Sequence, residues 1–145
     1  MCRRDGARDH GAISVFSDNK PVLLDFTFNG WGEKFRADLD NQISRGLFEA
    51  GLFDPTVTIK DEQDFVLEGG SIESDGQGTL LTTAQCLMAP HRNQPMDEAA
   101  IEARLKTSLG VDRVLWLRDG YLAGDDTDGH IDMLARFCDP TTIAY

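Results

Sequence analysis

The chain has 145 residues, 41% hydrophobic and 27% charged, close to globular averages, which excludes wholesale disorder and low-complexity architecture and predicts a packed core. Its 25 acidic and 14 basic residues give a formal net charge of −11, the wrong sign for a nucleic-acid footprint. No run approaches the ~18 apolar residues of a membrane span, and the opening MCRRDGARDH has no apolar h-region, so a cytoplasmic protein with no membrane or nucleic-acid partner is expected. The three cysteines, Cys2, Cys86 and Cys138, are odd in number and lack CxxC spacing. They read as reduced thiols, and no metal site is expected.

Ile13 to Phe16 and Val22 to Phe28 read as strands joined by the turn Ser17-Asp18-Asn19-Lys20. From Phe35 to Ala50, apolar Phe35, Leu39, Ile43, Leu47 and Ala50 recur at spacings of three and four, which predicts a helix stopped at Gly51. Val57-Thr58-Ile59 is the following strand. The order then repeats: strand Ser71 to Ser74, turn Asp75-Gly76-Gln77-Gly78, strand Thr79 to Thr83, a loop with Pro90 and Pro95, and a helix from Asp97 to Leu109. Asp97 is the expected N-cap and Gly110 the expected C-cap. Val114-Leu115-Trp116-Leu117 closes this second copy.

Ile13 and Ser71 are 58 residues apart and Val57 and Val114 are 57 apart, a repeat of hairpin, helix and strand with little residue identity. A third copy begins with a predicted strand Ile131 to Phe137, turns at Asp139-Pro140 and continues as a strand Thr142 to Tyr145. The modules run approximately 9–66, 67–124 and an incomplete 125–145. Two and a half repeat units are an odd stopping place, because each normally buries its apolar face on its neighbours, so a piece of something longer is expected.

Polar segments precede each hairpin in register: Arg8-Asp9-His10-Gly11, Leu67-Glu68-Gly69-Gly70, and Asp125 to Asp132. Carboxylates clustered with a histidine suit a delocalised cation, since they accept guanidinium or amidinium N–H donors in a planar fork. Plainer structural readings stand beside each candidate. Asp9 can be a turn or capping residue, Glu68-Gly69-Gly70 an inter-strand turn, and Trp31 a packing residue of its glycine-flanked loop rather than a lid over a cation. Asp125, Asp126 and Asp128 lack the ligand spacing and closing Glu of a calcium loop. On a strand, His130 and Asp132 would project from one face and present an imidazole and a carboxylate to one ligand.

Four segments, ARDHGAISVF (7 to 16), FTFNGWGEKF (26 to 35), LEGGSIESDGQGTLLTTAQCLMAPHRN (67 to 93) and GDDTDGHIDMLARF (124 to 137), together resemble the agmatine deiminase and Porphyromonas-type peptidylarginine deiminase family of the guanidino-group-modifying superfamily. The resemblance implies an α/β fold, a pentein-type propeller of five modules of which about two and a half are present. It implies hydrolysis of a guanidinium group through a thiouronium intermediate on cysteine, with no metal or organic cofactor. The substrate would be agmatine, giving N-carbamoylputrescine and ammonia on a route to putrescine, or peptidyl arginine, giving citrulline. By resemblance Asp9 and Asp132 grip the guanidinium, His130 is the general acid/base, and Trp31 and Glu68 line or support the pocket. The nucleophilic cysteine of the family follows a glycine-rich stretch that does not occur here, so none of the three cysteines is the expected nucleophile. The isolated chain is expected to be inactive. The alternative is a non-catalytic guanidinium-binding remnant of the same fold, and an exposed module edge favours self-association.

Overall fold

A computed structural model describes residues 6–120, 122–124 and 129–145. Cys2 and the acidic residues Asp125, Asp126 and Asp128 lie outside the described residues. The chain divides into two units, Met1–Gly69 and Gly70–Tyr145.

The first unit opens with a single helical turn, α1 (Ala7–His10), followed by β1 (Ile13–Ser17) and β2 (Lys20–Thr27). These strands are antiparallel, with Ile13 opposite Leu24 and Ser17 opposite Lys20. Asp18 and Asn19 between them both have positive φ, 50° and 59°, the backbone that a two-residue hairpin needs to match strand twist. After a tight turn, α2 (Gly30–Glu33), and a short 3-10 turn (Asp40–Gln42), the helix α3 (Ile43–Glu49) carries the chain across to β3 (Thr58–Val66). β3 lies parallel to β2 and makes β2 the central strand of three. Leu24, Phe26, Phe28, Phe65 and Leu67 form the buried apolar set.

Two expectations are corrected here. The helix predicted over Phe35 to Ala50 is regular only over Ile43–Glu49, and its apolar stripe faces solvent: Phe35 is 59%, Leu39 73%, Ile43 42% and Leu47 40% exposed. Local polar bonds compete with the helix at its start. Asn41 accepts from the Phe28 N–H at 2.8 Å and donates to the Ala37 carbonyl at 3.0 Å, while Arg36 makes a two-pronged contact with Asp38. Buried Ser44, a polar residue, faces inward and accepts the Ala12 N–H at 2.9 Å. The strand expected at Val57 to Ile59 runs on to Val66. Its charged middle, Lys60 to Asp64, disguises it, but β3 is an edge strand, where charges discourage further pairing.

The second unit repeats the sheet. β4 (Ile72–Ser74) and β5 (Thr79–Thr83) form an antiparallel hairpin, whose turn is held by Asp75 accepting the N–H groups of Gln77 and Thr79 at 2.7 and 2.8 Å. A short α4 (Ala84–Leu87) and a longer α5 (Glu98–Leu109) lead to β6 (Arg113–Leu117), parallel to β5. α5 has the caps that its sequence announced. Asp97 accepts the Ala100 N–H at 2.8 Å, and Gly110 takes the left-handed conformation at φ 68°. Ile101 and Leu105 are fully buried, as are Leu80 and Leu87.

The last hairpin, β7 (Arg136–Asp139) with β8 (Thr142–Ala144), is a two-stranded sheet. Its first strand is shorter than expected. Residues Ile131–Met133 form a 3-10 turn instead of a strand; the turn, closed by the Ala135 N–H donating to the Ile131 carbonyl at 2.8 Å, gathers Ile131 and Ala135 into one apolar cluster with Leu81, whereas on an extended strand the two would stand about 13 Å apart. The two units thus show a mixed α/β fold. No helix among the described residues is long and apolar enough to cross a membrane.

Candidate active site

In the first unit the candidate residues converge. Asp9, half-buried on α1, accepts a hydrogen bond from the indole N–H of Trp31, with Nε1 3.0 Å from Oδ2. Trp31 reaches it from an unusual backbone: φ 58° and ψ 52°, beside Gly32 at φ 79°. Such a left-handed conformation is costly for a bulky residue and persists only where its surroundings impose it. Those surroundings are aromatic. The ring stands edge-on to Phe28 at 5.0 Å and to Phe35 at 5.8 Å, the arrangement that ring quadrupoles favour. The Asn29 side chain caps the same turn by accepting the Gly32 N–H at 2.9 Å.

Glu68, 1% exposed, follows β3. The next residue, Gly69, passes so close to the carbonyl of Arg8 that a Cβ would collide with it. This is a close-approach glycine, and it brings the segment carrying Glu68 against the one carrying Asp9. The sequence placed these two loops in register; the packing at Gly69 brings them together. Trp31 was expected as a loop aromatic or a cover for a cation, and it serves as a hydrogen-bond donor to the carboxylate.

In the second unit His130 is 1% exposed and precedes the 3-10 turn that contains half-buried Asp132. The expectation that both project from one face of a strand is therefore corrected: His130 is extended, φ −55° and ψ 136°, and Asp132 lies on the following turn. A ring nitrogen of His130 lies within 4.8 Å of the Cys86 sulfur. Asp132 also acts on Arg136. That guanidinium is held above its ordinary value by its hydrogen bond to Glu73, Nε to Oε2 at 2.9 Å, by Glu73's charge, and to a lesser degree by the charge of Asp132. Buried Glu73 also accepts the Phe137 N–H at 3.2 Å, so one carboxylate ties β7 to β4.

Sequence reasoning passed over Glu73, Arg136 and Thr83. For Thr83 a signal was present: a threonine ending a strand immediately before a helical stretch is a ready N-cap, and its hydroxyl does accept the Cys86 N–H at 3.1 Å. Cys86 is fully buried and Cys138 exposed. Taken unit by unit, the half-buried Asp9 carboxylate of the first suits binding a cation, and the buried His130 imidazole with half-buried Asp132 in the second suits moving a proton.

Known proteins of similar sequence and structure carry related chemistry in their names. The chain is 42% identical over 139 residues to an agmatine deiminase of Stutzerimonas stutzeri, spanning 92% of this chain and 36% of that protein. The structure of a candidate arginine deiminase from Porphyromonas gingivalis matches with a TM-score of 0.94 at 58% identity, over 97% of this chain and 41% of the other. A cysteine-to-serine variant of C. jejuni agmatine deiminase with substrate bound matches with a TM-score of 0.87 at 41% identity, again over 97% and 41%. The chain thus spans about two fifths of the length of these relatives. The family model of the Porphyromonas-type peptidyl-arginine deiminases matches residues 6–145, and the chain belongs to that family.

Proposed function

We propose that these residues serve the hydrolysis of a guanidinium C–N bond, in agmatine or in peptidyl arginine. The observation that carries this reading is the Asp9 carboxylate oriented by the Trp31 N–H, in a chain similar to an agmatine deiminase captured with its substrate. Asp9 and Asp132 hold the planar cation through paired N–H···O contacts. His130 protonates the departing ammonia and then takes a proton from the attacking water. A cysteine thiolate forms the bond to the guanidinium carbon, ammonia leaves, and water releases the urea-type product and restores the thiol.

The reading assigns that thiolate to none of Cys2, Cys86 and Cys138: burial of Cys86 withholds it from substrate, and Cys138 sits on the exposed strand β7. The three hairpins are read as successive modules, approximately 9–66, 67–124 and 125–145, of a five-module α/β propeller. The repeated order of antiparallel hairpin and parallel third strand supports this. A second reading, a guanidinium-binding module without turnover, is favoured by the burial of Cys86.

Calorimetry with agmatine, paired with ammonia and carbamoyl-product assays on agmatine and a peptidyl arginine, tests both. The 145-residue chain should bind agmatine, lose binding on Asp132→Ala, and release no ammonia. Robust turnover by this chain overturns the assignment of the nucleophile; failure to bind any guanidinium overturns the site.

A further inference from the structure

Thr83 is the last residue of β5 and is 2% exposed. Its hydroxyl takes part in two bonds. It accepts the Cys86 N–H at 3.1 Å and donates to the Gly129 carbonyl at 2.6 Å, across 46 residues of sequence. A hydroxyl has one proton and two lone pairs. With Cys86 N–H supplying a donor to the oxygen, the single proton is directed to Gly129, and the rotor has no freedom left.

Gly129 is the residue before His130. It has φ 78°, and a Cβ there would stand 3.0 Å from the Gln85 side chain, so its backbone lies close against α4. On the other side of His130, Ile131 is fully buried in the cluster with Leu81 and Ala135. The imidazole is therefore set between two anchors, a polar one through Thr83 and an apolar one through Ile131. The Cys86 sulfur, on the same short helix that Thr83 caps, lies within 4.8 Å of the ring.

We infer that Thr83 is a positioning residue for His130, holding through the Gly129 carbonyl the backbone from which the imidazole projects. The inference rests on the proposed role of His130 for its functional meaning, but not for its geometry.

The test uses the 145-residue chain with isotope-labelled histidine. His10, His91 and His130 are its only histidines, and His130→Gln identifies the His130 ring resonances. Thr83→Ser keeps the hydroxyl and should leave those resonances at their native positions. Thr83→Val removes it and should displace them, leaving His10 and His91 unmoved, and should weaken agmatine binding on the order of five-fold, as expected for one lost hydrogen bond. Unmoved His130 signals in a folded Thr83→Val, or equal displacement in Thr83→Ser, overturn the inference. If Thr83→Val does not fold, Thr83→Ala, which adds no methyl group facing the carbonyl, replaces it; loss of fold in both overturns the inference in favour of a purely structural role. Displacement of the His130 signals in Thr83→Val but not in Thr83→Ser, with no agmatine response in the native chain, supports the positioning and counts against the proposed function alone.

Discussion

The two units build the same sheet, two antiparallel strands and a parallel third, around helices of very different quality. In the second unit α5 is capped at both ends and buries Ile101 and Leu105. In the first, α3 has seven residues, lacks a side-chain N-cap and leaves Ile43 and Leu47 substantially exposed. The sheet is preserved because its backbone bonds and central apolar strand are common to both; the helix depends on side-chain caps and on which face meets the core. The candidate residues differ in the same way. Asp9 is held by a side chain, the Trp31 indole, whereas the His130 backbone is held through a hydroxyl at a strand end.

The largest expected contrast is in core truncation. Leu105→Ala should cost about 2–5 kcal/mol, whereas Leu47→Ala should stay within about 0.5 kcal/mol, as for a surface site. Urea denaturation of both variants checks this, and equal losses would mean that the α3 stripe is as buried as that of α5. Next, Trp31→Phe keeps the ring packing but removes the donor to Asp9. A charge-assisted bond of ~1.5 kcal/mol corresponds to roughly ten-fold weaker agmatine binding; unchanged affinity by calorimetry would separate Asp9 from the ligand. Smaller again, Asp97→Ala should cost ~1 kcal/mol through the lost N-cap, whereas Gln42→Ala at the start of α3, where no cap bond exists, should leave the thermal midpoint nearly unmoved.

The smallest effect concerns pH. Burial pushes the Asp25 carboxyl above its ordinary 3.8, against the pull of the Arg45 guanidinium and a hydrogen bond involving Gln63, with Asp61 adding to the rise. The folded state therefore holds this proton longer than the unfolded chain. The associated stability is fully present below pH 3.8 and is lost as pH rises through the folded value. Asp25→Asn should flatten that decline in urea midpoint, and an unchanged slope would remove Asp25 as its source.

Much of the architecture was legible in local chemistry. Asp97 and Gly110 bounded α5, the polar turns marked both hairpins, and the repeat exposed the common order of strands. The candidate site was legible as residue types in register, Asp9, Glu68, His130 and Asp132, and as a family resemblance. The use of Trp31 as a donor and the role of Thr83 were not, because each joins residues distant in sequence, and periodicity carries no information about such pairs.

The sequence by itself determined where strands alternate with helices and which segments carry the acidic groups and the imidazole, since these follow from apolar spacing, caps and turn residues within a few positions. Only the tertiary structure decided that the Phe35-to-Leu47 stripe faces solvent, that His130 precedes a 3-10 turn rather than lying on a strand, and that Gly69 brings Glu68's segment against Asp9's. Each of these outcomes depends on long-range packing and on where buried polar groups find partners, which local propensity does not encode.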